Sequence, residues 1–253
     1  MLNSTSLLKV NDANHSVRLS YVFEDYGGAR KGLTTAQLVS TKDPLSFSAG
    51  WPIRERRQVF VQGADVGILD AYRDLGTDDL ENPDVLRGGA LTCAFTVSDK
   101  VRVDASVGSP NVQIVEWDDC AGQTAYILGE GAVGTLLDEL THLRWGGRHI
   151  YPLIQLRRSD QDMRENRAIR NGAMVTTANS SLVGVIVAIY DEGTRYAVAP
   201  ITDILDWHHF RLPQAPDELF SPPEEPATKP AAWRFKQKLD PKLANLITEE
   251  EAA

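Results

Sequence analysis

The chain lacks most of the features that mark specialised protein classes. It holds two cysteines, Cys93 and Cys120, in 253 residues. Two separated cysteines exclude a disulfide-stapled scaffold and a structural zinc site built on paired cysteines. The five histidines are His15, His142, His149, His208 and His209. No two have ligand spacing on a common predicted face, because adjacent His208 and His209 point to different sides, so no metal is expected. Positive charge is in deficit, with 26 Lys and Arg against 35 Asp and Glu and a formal net charge of -9. A nucleic-acid binder usually shows the opposite, so no nucleic acid is expected. No apolar run is long enough to span a bilayer. The start, Met1 to Leu8, has no basic segment followed by an apolar core, so a cytoplasmic location with reduced thiols is expected. No fixed-period repeat is found.

What the chain does have is short strands. Ser16–Phe23 alternates polar and apolar residues, the period-two signal of a half-buried strand. Gly32–Val39, Arg57–Gln62, Val66–Tyr72 and Ala90–Val97 read the same way, with a turn at Tyr26-Gly27-Gly28 and an acidic loop over Asp74–Pro83. Val112–Trp117, Thr124–Leu128 and His149–Leu156 are extended by composition. Pro152 makes the last of these an edge or bulged strand. Met174 and Val175, Leu182–Val187 and Arg195–Ala199 follow as strands, and Pro200–His209 begins with a good first-turn residue for a helix. Strands this short, divided by Gly and Pro, favour a barrel or sandwich.

After Leu212 the composition changes. Pro213, Pro216, Pro222, Pro223, Pro226 and Pro230 alternate with Glu, Asp and Ala, as in an extended linker. Asp240-Pro241 then reads as a cap and first turn, with Leu243, Leu246 and Ile247 on one helical face. A helix so short is marginal alone in water, so it is expected to dock. Trp233, Phe235, Leu243, Leu246 and Ile247 are the candidate binding residues of this tail.

Three stretches, in order, bear on chemistry: Leu33-Thr34-Thr35-Ala36-Gln37, Val103-Asp104-Ala105-Ser106-Val107, and Ile169-Arg170-Asn171-Gly172-Ala173 followed by Leu182-Val183-Gly184-Val185. Together they resemble the trypsin-like (chymotrypsin-fold) serine proteases of the bacterial type. The resemblance spans roughly residues 15 to 212. In that family the first stretch carries the histidine, the second the aspartate and the third the serine, in a Gly-Asp-Ser-Gly turn. By resemblance Gln37 stands for the histidine, Asn171 for the serine, and Asp104 for the acid. Asp65, in Ala64-Asp65-Val66-Gly67, is the other placement of the acid. A serine triad needs a hydroxyl nucleophile, an imidazole base and an orienting carboxylate. Gln37 does not protonate near neutral pH, and Asn171 has no ionisable nucleophile. Ile169 stands where the family has a glycine that shapes the oxyanion hole, and Arg170 replaces an aspartate.

The resemblance implies an all-β fold of two six-stranded barrels, about 15–110 and 111–212, closed by a C-terminal helix and followed by the tail at 213–253. It implies a degenerate triad, hence a pseudoprotease with no cofactor that acts as a protein- or peptide-binding subunit. Its contacts would be the tail and the vestigial substrate cleft. Two alternatives stay open. One is an active hydrolase with displaced groups such as Ser106 or Ser180-Ser181. The other is a nucleotide-binding protein using Gly129-x-Gly131-x-x-Gly134, with Thr135–Leu143 as the helix whose N-terminus would meet a pyrophosphate.

Overall fold

In a computed structural model, residues 1–10, 16–38, 57–70, 85–145, 148–160, 163 and 169–214 are described. The expected acidic loop and the tail candidates Trp233, Phe235, Leu243, Leu246 and Ile247 lie outside the described residues. One compact unit spans Met1–Gln214. In chain order its strands are β1 (Leu7–Val10), β2 (Val17–Arg18), β3 (Tyr21–Asp25), β4 (Arg30–Thr35), β5 (Gln58–Val61), β6 (Ala64–Leu69), β7 (Val85–Leu86) and β8 (Thr92–Val97). The second half adds β9 (Thr124–Ile127), β10 (Gly131–Trp145), β11 (Arg148–Arg158), β12 (Met174–Thr176), β13 (Leu182–Tyr190), β14 (Arg195–Pro200) and β15 (Phe210–Arg211).

These strands make two sheets, as the sequence predicts. The first has the order β15-β3-β4-β8-β6-β5-β1-β2 and the second β10-β9-β12-β13-β14-β11-β7. A further pairing of β10 with β11 closes six strands of the second sheet into a ring. Among the described residues every strand pair is antiparallel except β7 with β11. Three short strands depart from the expected bounds of about 15–110 and 111–212, two of them by crossing the division near residue 110. β1 precedes residue 15 yet joins the first sheet, β15 returns to it from the C-terminal side, and β7 crosses to the second. Two-residue strands carry no periodicity, so sequence patterning does not reveal β7 or β15.

The apolar run of β13 has a packing cause. Leu182, Val185 and Val187 join the core cluster shared with the first sheet, while Val183 and Ile186 point into the second ring. β14 divides likewise, with Ala197 and Ala199 on one side and Tyr196 and Val198 on the other. Strands buried on both faces lose the polar alternation and read as continuous hydrophobic segments. Cys93 and Cys120 are both buried and free, one in each cluster.

Two expectations need correction. Val112–Trp117 is not a strand: only Ile114 bridges to Leu182, and Trp117–Cys120 is a turn of helix. Thr135–Leu143 is not a helix but part of β10, paired with β9 and β11. Gly129 and Gly131, with φ of +79° and +92°, make the β9–β10 hairpin turn instead. No helix N-terminus follows them, so the strand–glycine–helix arrangement of a dinucleotide site is not formed. Pro152 sits where its missing N–H does least harm. The β10 register shifts between Thr141 and Leu143 opposite it, and on the other side β11 has left β7 at Ile150 and meets β14 only from Ile154. This is the bulged strand the proline predicts.

The helix Ile201–His208 starts at Pro200, ends at left-handed His209, and buries Ile201 and Ile204. It lies over a buried 3-10 turn, Gly88–Leu91. A Cβ on Gly89 would come within 2.6 Å of Trp207 Cβ and 2.9 Å of the Asp203 carbonyl oxygen, so only glycine allows this approach. Asp203 Oδ2 is buried there without a hydrogen-bond partner. Burial pushes the Asp203 carboxyl up to about 6, against the pull of Arg87 and with the push of Asp206. A carboxylate with a raised folded-state pKa favours folding below its unfolded pKa and loses that contribution as pH rises through the folded value. Asp203→Asn should therefore flatten the fall in thermal midpoint between about pH 4 and pH 7. It should also stabilise the protein at pH 7 by up to about 3 kcal/mol, read by urea unfolding. A variant with the same pH slope as the wild type would overturn this.

Candidate functional site

Two of the three sequence candidates meet. β4 ends at Thr35, and a 3-10 turn over Ala36–Leu38 holds Gln37 half-exposed between buried Ala36 and Leu38. From the other sheet, the turn before β12 presents Asn171. Asn171 Nδ2 donates to Gln37 Oε1 at 2.5 Å, although 134 positions separate them in the chain. Asn171 Oδ1 is buried with no partner.

The Asn171 turn is fixed by its backbone. Arg18 N–H donates to the Asn171 carbonyl at 3.1 Å, and Gly172 N–H donates to the Ile186 carbonyl at 2.8 Å. Ser20 Oγ donates to the Gly172 carbonyl at 2.6 Å, and Thr34 Oγ1 donates to the Arg18 carbonyl at 2.7 Å. Arg170 reaches Ser16 Oγ at 3.2 Å. Gly172 has φ of +90°, and a Cβ there would lie 2.3 Å from the Arg18 carbonyl oxygen. Both facts require glycine. Sequence reasoning missed Arg18, Ser20 and Thr34 as partners of this turn. Alternation places Arg18 and Ser20 on the polar side of their strand, so no local signal marks them as partners of the turn.

Ile169 is half-buried and packs against the core of the second ring. Among the described residues, the non-glycine positions with left-handed backbone are Gln62, Ser180, Asp191, Glu192 and His209, so Ile169 stays in the ordinary β-branched range.

The structure does not bring the third candidate to this pair. Asp104 caps the 3-10 turn Ala105–Val107, its Oδ1 accepting from Ser106 N–H at 2.9 Å. That backbone donor, helped by the Ser106 side chain and Arg102, holds its carboxyl below the usual range. Asp65 is engaged within the β5–β6 hairpin, accepting from Gln58 Nε2 and from Gly67 N–H. The Gln37 turn abuts β8, β1 and the Gly88–Leu91 turn, the last reached because Thr35 of β4 pairs with Thr92 of β8. That turn contains no carboxylate, and the space a side chain on Gly89 would need is filled by Trp207.

The remaining candidates separate. Ser180 sits at a hairpin tip with φ of +61°, and the Ser106 side chain bonds Asp104 in its own turn. The two glycines that form the β9–β10 turn lie apart from Gly134, which is paired inside β10. His142 and His149, unpaired by sequence spacing, come to 5.7 Å between ring centres across β10 and β11. Among the described residues no group of three metal-ligating side chains forms.

No protein-family model matches the chain, and no curated protein matches it. Solved structures do. Thermobifida fusca protease A is similar with a TM-score of 0.52 at 13% identity, over 85% of this chain and 98% of that protein. Nocardiopsis protease gives 0.53 at 10% identity, over 84% and 98%. A glutamic-acid-specific serine protease gives 0.51 at 13% identity, over 84% and 100%. The fold is that of the chymotrypsin-type proteases. In this version of the fold, an amide pair joins the two sheets at the Asn171 turn.

Because Gly172 is held by both conformation and contact, Gly172→Ala should destabilise the protein by roughly 1–3 kcal/mol in urea unfolding. A change within about 0.5 kcal/mol would show that the turn is not fixed as described.

Proposed function

We propose that this chain is a non-catalytic protein on a chymotrypsin-type fold, a pseudoprotease that works by binding another protein or a peptide within a larger assembly. The observation that carries the reading is the Gln37–Asn171 contact. A peptidase of this fold would need a hydroxyl and an imidazole facing each other across the sheets. Two amides face each other instead. Neither titrates near neutral pH, so neither activates a nucleophile. The neighbouring Gly88–Leu91 turn offers no carboxylate to orient a base, and Ile169 disfavours the backbone that an oxyanion site requires.

Binding has a structural basis beside the pair. β13 faces β12 only up to Val185, and Ile186 bonds Ala173 and Gly172. From Ala188 to Tyr190 it keeps β14 on one side and has no strand on the other among the described residues. Ile189 is 40% exposed there. An unpaired edge of this kind accepts an extended segment by β-augmentation, in which backbone hydrogen bonds supply affinity.

A serine-directed fluorophosphonate probe should leave the protein unlabelled, and specific labelling would remove the non-catalytic reading. Asn171→Ser alone should also show no acylation burst with a peptide ester, because Gln37 cannot take the hydroxyl proton. A burst from that single variant would overturn the assignment of Gln37.

A further inference from the structure

Asn171-Gly172 is the one Asn-Gly step in the chain. In an unstructured chain such a step cyclises readily, because glycine turns freely and has no Cβ to shield its own backbone nitrogen. The Gly172 nitrogen gives its proton to hydroxide and attacks Asn171 Cγ. The N–Cγ bond forms, the Cγ–Nδ2 bond breaks, and the side-chain nitrogen leaves as ammonia. Water then opens the succinimide ring at either carbonyl, leaving aspartate or its β-linked isomer at position 171. No oxidant or cofactor takes part.

The folded turn opposes every part of that step. The attacking nitrogen is committed, since Gly172 is buried and its N–H donates to the Ile186 carbonyl at 2.8 Å. The departing amide is held, since Asn171 Nδ2 donates to Gln37 Oε1. Negative charge would develop on Asn171 Oδ1, which is buried and accepts from no donor among the described residues. An oxyanion forming there would lack the aimed donors that stabilise such charge. We infer that Asn171 is a latent, one-way modification site, kept closed by the Gln37 side chain and the Ile186 carbonyl. Gln37 is here a positioning residue, which holds the Asn171 side chain away from its own backbone. The consequence of opening is permanent, because ammonia is lost. The β-linked product adds a carbon to the backbone of a turn in which even a Cβ on Gly172 would strike the Arg18 carbonyl oxygen. The modified turn therefore cannot close again in its original form, and the join between the two sheets is lost with it.

Peptide mapping by mass spectrometry tests this on the full chain, incubated in mildly alkaline buffer either folded or in urea. Asn171 should convert at least about a hundredfold more slowly in the folded chain, because the turn has to open before the nitrogen can attack. Gln37→Leu, similar in volume but without the acceptor, should raise the folded-state rate by about tenfold, whereas Gln37→Glu, which keeps an acceptor, should leave it low. Asn111 and Asn179 in the same maps report any general loosening and should keep their wild-type rates in all variants. A folded wild type that converts within about twofold of the unfolded chain would overturn the inference. So would a folded Gln37→Leu variant that converts no faster than wild type, or one in which Asn111 and Asn179 accelerate as much as Asn171. If Gln37→Leu does not fold, the wild-type comparison decides alone.

Discussion

The hydrogen bonds at the Asn171–Gly172 turn are what the site depends on. The turn belongs to the second sheet through Gly172 and Ile186, yet its carbonyls accept from Arg18 and Ser20 of the first-sheet side. The Asn171 side chain adds a third link, to Gln37. These bonds are shielded by burial on the Gly172 side, where they gain from the low local dielectric and where loss of one partner would leave an unsatisfied group. The turn is thereby held from both sides. A Cβ at Gly172 is incompatible with it, and Thr34 fixes the Arg18 carbonyl that such a Cβ would strike.

The hydrophobic core repeats this dependence on a larger scale. One cluster runs from β1 and β3 through β4 and β8 to Met174, Val185, Val187 and Ala199 of the second sheet. The second ring holds its own smaller cluster. The strands that flank the Asn171 turn are therefore buried on both faces, and they cannot shift without disturbing both clusters. Close packing also explains the Gly88–Leu91 turn. Gly89 faces Trp207 and the Asp203 carbonyl at distances that leave no space for a side chain, and Gly88 lies tight against Leu153 and Ala199. A side chain on Gly89 would thus require the Ile201–His208 helix to move.

Much of the fold was legible in the sequence because burial imposes its own pattern. β3, β4, β5, β6, β9, β11, β13 and β14 were all signalled by alternation or by β-branched runs, and Pro200 marked the helix. Boundaries were less legible. Gly32–Val39 became β4 plus a 3-10 turn, since Gln37 has to leave the strand to meet Asn171. The Gly-x-Gly-x-x-Gly spacing misled because hairpin turns need left-handed glycines as much as phosphate loops do. The site was half legible. Gln37 and Asn171 were found from local motifs, and the structure brings them together. The neighbour of Gln37 was not found, because strand pairing between Thr35 and Thr92 determines it and no local signal marks that register. The candidates Asp104 and Asp65 both satisfy their carboxylates within their own turns, as Asp commonly does when a turn offers nearby N–H groups.

On the binding reading, the clamp at Asn171 and the open edge of β13 belong together. An edge that has to fold before accepting a partner loses affinity to the ordering of its own backbone, whereas a rigid edge does not. Ile186 is bonded to the Asn171–Gly172 turn on one side and to β14 on the other, and Ala188–Tyr190, which among the described residues pair only with β14, begin two positions later. An amide pair keeps its hydrogen bond across the pH range in which an imidazole would change charge. The edge is accordingly held in the same geometry whatever the protonation of its surroundings. In a binding protein that constancy is an advantage, and in a hydrolase the same exchange would remove the proton transfer on which turnover depends.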